Sequence, residues 1–105
     1  MSWLKKICLV DELEPDSVTG FELPGLSRLA VYSLAGKIYV TDGLCTHGHA
    51  LLSEGFIEGD EIECPLHAGR FCIATGHPTA EPAEVPLQTY EVVIDDGHVC
   101  IRIEE

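Results

Sequence analysis

The chain lacks any hydrophobic run long enough to cross a bilayer; its apolar stretches are a few residues long, against the roughly 20 that a spanning helix needs. The segment from Met1 to Cys8 contains Lys5 and Lys6 but no apolar stretch or small-residue cleavage site of the kind a secretion signal carries. A cytoplasmic protein without membrane contact is therefore expected. Basic residues are also scarce: six Lys and Arg stand against eighteen Asp and Glu, a formal charge of −12. Nucleic acid is excluded as a partner, because phosphate neutralisation needs clustered Lys and Arg. An acidic surface suits instead a protein partner with a basic docking patch, found by electrostatic steering. Five cysteines form an odd set, so without a secretion signal a disulfide framework is not expected. No internal repeat, low-complexity tract or linker is present, and no amphipathic helix is convincing.

What is there has the period of strands. Trp3–Val10 reads as an opening strand, 11–20 as an acidic loop, and Phe21–Leu23 as a short strand stopped by Pro24-Gly25. Arg28–Leu34 and Lys37–Thr41 flank Ala35-Gly36 as a tight hairpin. Phe56-Ile57 and Glu61–Glu63 surround a Gly59-Asp60 turn, and Arg70–Ala74 is a further strand. The segment 77–86 carries three of the six prolines and reads as an ordered irregular loop. Thr89–Ile94 and His98–Ile103 close the chain as a hairpin about Asp95-Asp96-Gly97. Many short strands at close spacing predict an all-β sandwich or barrel. Its interior would be filled by side chains, so any metal centre is expected on loops at one end.

Two Cys/His pairs dominate the middle of the chain. Cys45-Thr46-His47-Gly48 is the first; with sixteen residues between His47 and Cys64, the second is Cys64-Pro65-Leu66-His67-Ala68-Gly69-Arg70-Phe71. Two thiolates and two imidazoles on two loops can hold one metal centre. The mixed spacing C-x-H and C-x-x-H is that of a Rieske-type [2Fe–2S] cluster, in which two histidines replace two cysteines on one iron. Glycines after each pair allow tight turns, and Pro65 stiffens the second loop. Structural zinc also takes a Cys₂His₂ set, but zinc loops usually pair like ligands over knuckle or helix spacings. A binuclear centre accounts for one of each ligand per loop. Cys8, Cys72 and Cys100, in apolar or alternating contexts, read as core thiols. His49 is placed beside the centre's mouth, His77 at the start of the proline loop, and His98 in solvent. Leu66, Pro65 and 78–82 are candidates for a dry rim. Glu54, Glu58, Glu61 and Glu63 read as a solvated face with docking potential.

The motifs Cys-Thr-His-Gly and Glu-Cys-Pro-Leu-His-Ala-Gly-Arg-Phe, followed by Thr75-Gly76 and Pro82, resemble the Rieske-type ferredoxins of bacterial aromatic-ring-hydroxylating dioxygenase systems, such as the naphthalene, biphenyl and toluene types. The resemblance runs nearly the whole chain. It implies a single domain over 1–105, a β sandwich or barrel of three sheets, and cluster-binding loops at about 43–53 and 63–72. It further implies that Cys45 and Cys64 bind the buried iron and that His47 and His67 bind the outer one. The respiratory branch of Rieske proteins carries an additional cysteine in each loop; Ala50 and Leu66 stand there here, so that disulfide is absent. That branch also places a serine and a tyrosine whose hydroxyls donate to sulfur, where this chain has Gly69 and Phe71. Loss of such donors lowers the potential, and a value near the low end of the Rieske range, about −150 mV, is expected. With two neutral imidazoles the centre is formally neutral when oxidised and singly negative when reduced, which suits one-electron transfer.

The implied role is that of a monomeric electron carrier between an NAD(P)H-dependent flavoprotein reductase and a terminal oxygenase. The chain is not expected to be an oxygenase itself. A mononuclear iron site needs two His and a carboxylate; His49, His77 and His98 remain with no helix to organise them, and a chain of this size leaves little room for a substrate pocket. Two alternatives stay open at this point: the small Rieske subunit of a reductase such as nitrite reductase, and a zinc-stabilised interaction module.

Overall fold

The run Leu29-Ala30-Val31-Tyr32 is apolar at every position, and all four residues are buried. A strand that alternates faces can be apolar throughout only if both faces are covered. Here they are. The computed structural model describes residues 1–46, 50–66 and 68–104. Among these the strands are β1 (Ser2–Leu9), β2 (Ser17–Phe21), β3 (Leu29–Leu34), β4 (Lys37–Asp42), β5 (Phe56–Glu58), β6 (Glu61–Glu63), β7 (Arg70–Cys72), β8 (Pro78–Ala80), β9 (Thr89–Tyr90), β10 (Val92–Asp95) and β11 (His98–Glu104). They form three antiparallel sheets, ordered β1-β11-β10, β2-β3-β4-β9 and β5-β6-β7-β8. The only helical segments among the described residues are two single 3₁₀ turns, Val10–Glu12 and Leu52–Glu54. The expected all-β architecture of three sheets is observed.

Alternation along β3 divides the interior in two. Leu29 and Val31 pack with Cys8, Val40, Val99 and Ile101, against the sheet that holds β1 and β11. Ala30 and Tyr32 face the other way, towards Cys45, Leu52, Ile62, Cys64, Phe71 and Ile73. The Tyr32 hydroxyl lies 2.9 Å from the Thr41 hydroxyl. Thr41 in turn donates to the Asp42 carbonyl at 2.8 Å, so its one proton is used and Tyr32 is the donor in the first bond.

The hairpin about Ala35-Gly36 forms as expected, with Leu34 paired to Lys37. Both turn residues are left-handed, at φ 48° and 82°, the turn whose twist matches the strands. Asp16 supports the non-glycine position by accepting the Ala35 N–H at 3.2 Å.

Five expectations about elements are corrected. The span 11–20 is not all loop: Ser17–Phe21 is a strand, pairing Val18 with Tyr32 and Thr19 with Val31, while the strand expected at Phe21–Leu23 ends at Phe21. Long-range pairing with β3 decides this, and no local pattern reveals it. The proline segment 77–86 contains β8, on the edge beyond β7, where Pro78 costs no ladder donor. The strand expected at Arg70–Ala74 stops at Cys72, and the Ile73 N–H turns to the Asp60 carbonyl at 3.0 Å. Thr89–Ile94 is not one arm of a hairpin. Thr89-Tyr90 pairs with β4 and Val92–Asp95 with β11, so the chain changes sheets at Glu91.

Candidate metal centre

Each cysteine of the two motifs sits at the root of a loop anchored by backbone hydrogen bonds. In the first, Leu44 bridges Leu51, Cys45 N–H donates to the Ala50 carbonyl at 2.8 Å, and Leu52 N–H donates to Gly43 at 2.8 Å. The second is the hairpin between β6 and β7. Its last ladder pair is Glu63 with Arg70, and Cys64 N–H donates to the Gly69 carbonyl at 2.7 Å just beyond. Within that loop Ala68 takes a left-handed backbone, φ 59°, a conformation that costs a non-glycine residue about 1–2 kcal/mol. Strain of this kind persists where surrounding contacts over-determine the chain.

The structure brings Cys45 and Cys64 together. They are 3 % and 1 % exposed and belong to the same apolar cluster. Burial first, and then the adjacent Cys45 thiol, push the Cys64 thiol up to about 11, while the Leu66 N–H directed at its sulfur pulls the other way. Two buried sulfurs in one cluster, with a backbone N–H aimed at one, fit the donor set that iron takes from a protein. The cysteine ends of the loops are therefore rooted in the apolar cluster that also holds Ala30, Tyr32, Ile62 and Phe71. His47, His49 and His67 lie outside the described residues.

A third segment, 77–87, crosses both loops. The Thr46 hydroxyl donates to the Val85 carbonyl at 2.7 Å. A Cβ at Gly69 would meet the Ala83 Cβ and N at 3.2 Å each, so any larger residue would require the facing segment to give by a few tenths of an ångström. Of the proposed rim, Leu66 is 45 % exposed and Val85, one not foreseen, is 60 % exposed. Neither the Thr46–Val85 link nor the Gly69–Ala83 approach carries a local sequence signal. Both join residues far apart in the chain.

The remaining candidates separate. Cys8 and Cys100 are buried, as expected for core thiols, and burial raises the Cys8 thiol further, followed by the charge of Glu12. Cys72 departs from that expectation: it is half-buried, paired across the ladder with Glu61 rather than in the core. All five cysteines are free thiols. His77 is exposed, and His98 is half-buried with its Nδ1 3.0 Å from the Asp96 carbonyl. Glu58, Glu61 and Glu63 do not simply face solvent: each forms an ion pair with Arg70. A shallow groove of about 480 Å³ along Ile38–Val40, Ile73-Ala74 and Thr89–Val92 offers more volume than expected, but neither Cys45 nor Cys64 lines it.

Comparison with known proteins agrees with this geometry. Residues 3–91 match the family of the Rieske [2Fe–2S] domain. The ferredoxin component of a naphthalene 1,2-dioxygenase system from Pseudomonas putida is 46 % identical over 98 % of this chain and 97 % of that one. A ferredoxin from Sphingomonas yanoikuyae B1 superposes with a TM-score of 0.91 at 42 % identity, covering 95 % of this chain and 98 % of that one. A chain in the complex of reduced oxygenase and oxidised ferredoxin of carbazole 1,9a-dioxygenase superposes with a TM-score of 0.87 at 40 % identity, covering 93 % and 91 %. With its buried cysteine pair, its three-sheet fold and these likenesses, the chain belongs to the Rieske [2Fe–2S] family, among the ferredoxins of aromatic dioxygenase systems.

Proposed function

We propose that this chain carries single electrons from an NAD(P)H-dependent flavoprotein reductase to the terminal oxygenase of an aromatic-ring-hydroxylating dioxygenase. Its cluster is held by Cys45 and Cys64 on one iron and by His47 and His67 on the other, within loops 43–53 and 63–72 of a single domain. The buried Cys45–Cys64 pair at the roots of the two motif loops is the observation that carries this reading. When bound, the cluster would supply one-electron uptake and release, with no proton or atom passed to a substrate. The chain's own residues do the rest. The apolar shell of Leu52, Ile62 and Phe71 keeps water from the cysteine side. The Leu66 N–H offers a donor to the Cys64 sulfur, which stabilises added negative charge.

Exposed Leu66 and Val85 near the loops support a small, transient contact with each partner, and the charge of −12 supports rapid, salt-sensitive encounter with basic surfaces. Relatives are ferredoxin components rather than oxygenases, and one solved structure contains a ferredoxin together with its oxygenase. No helix among the described residues is long and apolar enough to cross a membrane, which supports exchange between partners in the cytoplasm.

The test is spectroscopic and then kinetic. Anaerobically purified protein should contain about two irons per chain and give a rhombic paramagnetic signal after dithionite reduction. Cys45→Ser and His67→Ala should each abolish that signal. Reduced protein should then be reoxidised by a terminal oxygenase in the presence of aromatic substrate and O₂. A zinc-containing, redox-silent protein that resists reconstitution with iron and sulfide would sink the carrier reading. Permanent co-purification with one large subunit would instead favour a fixed reductase subunit.

A further inference from the structure

The outward face of the sheet that carries the second ligand loop concentrates charge. Across β5, β6 and β7, Ile57, Ile62 and Phe71 point inward and pack in the core. Alternation puts Glu58, Glu61, Glu63 and Arg70 on the opposite face. Arg70 is the centre of this group. Its Nε and one terminal nitrogen both reach Oε1 of Glu63, at 3.1 and 3.0 Å. Its guanidinium also lies 3.6 Å from Glu58 and 3.8 Å from Glu61. Among the described residues, the other arginines pair elsewhere, Arg28 with Glu22 and Arg102 with Glu91.

The position of this pair matters more than its number of contacts. Glu63 and Arg70 are the last register partners of the hairpin, directly before Cys64 and directly after Gly69. The Cys64–Gly69 hydrogen bond of 2.7 Å lies one step further into the loop. A planar guanidinium forked onto one carboxylate fixes the separation of the two arms, which a flexible ammonium does less well. Among the described residues, Arg70 is also the one cation paired with three carboxylates. Without it, those carboxylates would repel each other across two strands and leave an uncompensated negative field at the loop.

We propose that Arg70 is a positioning residue for the iron–sulfur centre: its pairing with Glu63 sets the spacing at the base of the second ligand loop, and its charge offsets Glu58, Glu61 and Glu63 so that the centre accepts an electron more readily. This inference rests on the assignment of Cys64 and His67 as ligands. The two components separate by sign. A purely structural clasp is weakened by loss of either partner, whereas the field moves in opposite directions when a cation and an anion are neutralised.

The experiment compares Arg70→Gln, Arg70→Lys, Glu58→Gln and Glu63→Gln with the wild-type holoprotein. Iron content, midpoint potential by film voltammetry and hydrogen exchange of the 63–70 backbone are the readouts. Arg70→Gln should shift the potential negative, lowering the reduced-to-oxidised ratio at fixed applied potential about threefold at low salt, a size set by the half-exposed, screened position. Glu58→Gln and Glu63→Gln should shift it positive. Arg70→Lys should restore the potential but not the slow exchange at Cys64, since it keeps the charge and loses the fork. Loss of iron from both Arg70→Gln and Arg70→Lys also supports the positioning role, and Glu58→Gln then reads the charge. Two irons per chain with unmoved potentials and unchanged exchange, or shifts of one sign in all variants, overturn this inference alone. Wild-type protein that holds no iron after reconstitution overturns the ligand assignment, and this inference with it.

Discussion

A hydroxyl introduced at Gly69 should raise the midpoint potential, and the structure dictates how that must be measured. A donor to a cluster sulfur is strengthened when the electron arrives, because the sulfur gains negative charge. If that differential is the net worth of an ordinary hydrogen bond, about 0.5–1.5 kcal/mol, the shift is about 20–60 mV, at 1.4 kcal/mol and 59 mV per tenfold for one electron. Position 69 is not open, however. Any Cβ there lies 3.2 Å from the Ala83 Cβ and backbone N, so segment 77–87 must give by a few tenths of an ångström. Ala83 is buried, and overpacking of this sort costs about 1–3 kcal/mol. Gly69→Ala is therefore the reference for Gly69→Ser, since both carry the Cβ and only one the hydroxyl. Film voltammetry of the two, each with two irons per chain, should place the serine variant 20–60 mV higher, an approximate range from the same hydrogen-bond energies. Equal potentials, or a lower value for the serine, would refute the hydrogen-bond argument. Phe71→Tyr is a poorer probe. Phe71 is fully buried, and a hydroxyl that misses sulfur there would be an unsatisfied buried donor costing about 1–3 kcal/mol.

Three other outcomes follow from named contacts. Gly55→Ala would press a Cβ far inside van der Waals contact with the Glu63 carbonyl oxygen, and within 3.2 Å of that of Leu52. Because Glu63 precedes Cys64, melting should fall by at least about 5 °C and iron should be lost faster to chelators; an unchanged melt would show that β5 and β6 separate freely. Thr46→Val removes the 2.7 Å bond to Val85, and should cost about 1 kcal/mol with faster amide exchange over 82–87; unaltered exchange would mean that the segment is held elsewhere. Alkaline stability should fall between about pH 10 and 12. Burial pushes the Tyr32 hydroxyl up to about 12. Burial first and then Asp42, which accepts from Tyr90 at 2.6 Å, push Tyr90 up to about 12. An acid whose folded value exceeds its unfolded one favours the fold below the unfolded value, and that advantage disappears as pH rises through the folded value. Tyr90→Phe should flatten the decline, measured as chemical-denaturation midpoints against pH; an unchanged slope would exclude Tyr90 as its source.

The local chemistry of the chain was legible from the order of its residues. The spacing of Cys45, His47, Cys64 and His67 suggests the proposed ligand set, because a loop supplies ligands from a short stretch and their spacing is a property of that stretch. The hairpins at Ala35-Gly36 and Gly59-Asp60 were legible for the same reason: a turn is decided by residues that adjoin. Tertiary structure alone decided contacts between segments far apart in the chain. Ser17–Phe21 became a strand because β3 offered an unpaired edge, and Thr89–Asp95 changed sheets because β4 and β11 each required a partner. Segment 77–87 came to lie on both ligand loops through Thr46 and Gly69. The proposed role of Arg70 was hidden similarly: it lies seven positions from Glu63 along the chain, but only the register of β6 against β7 makes them neighbours. Strand pairing energy lies in cross-strand contacts and shared burial, which a sequence read along one dimension does not contain. The proposed ligand set was therefore readable from the sequence, while the packing and charge around the cysteines emerged only when the sheets were assembled.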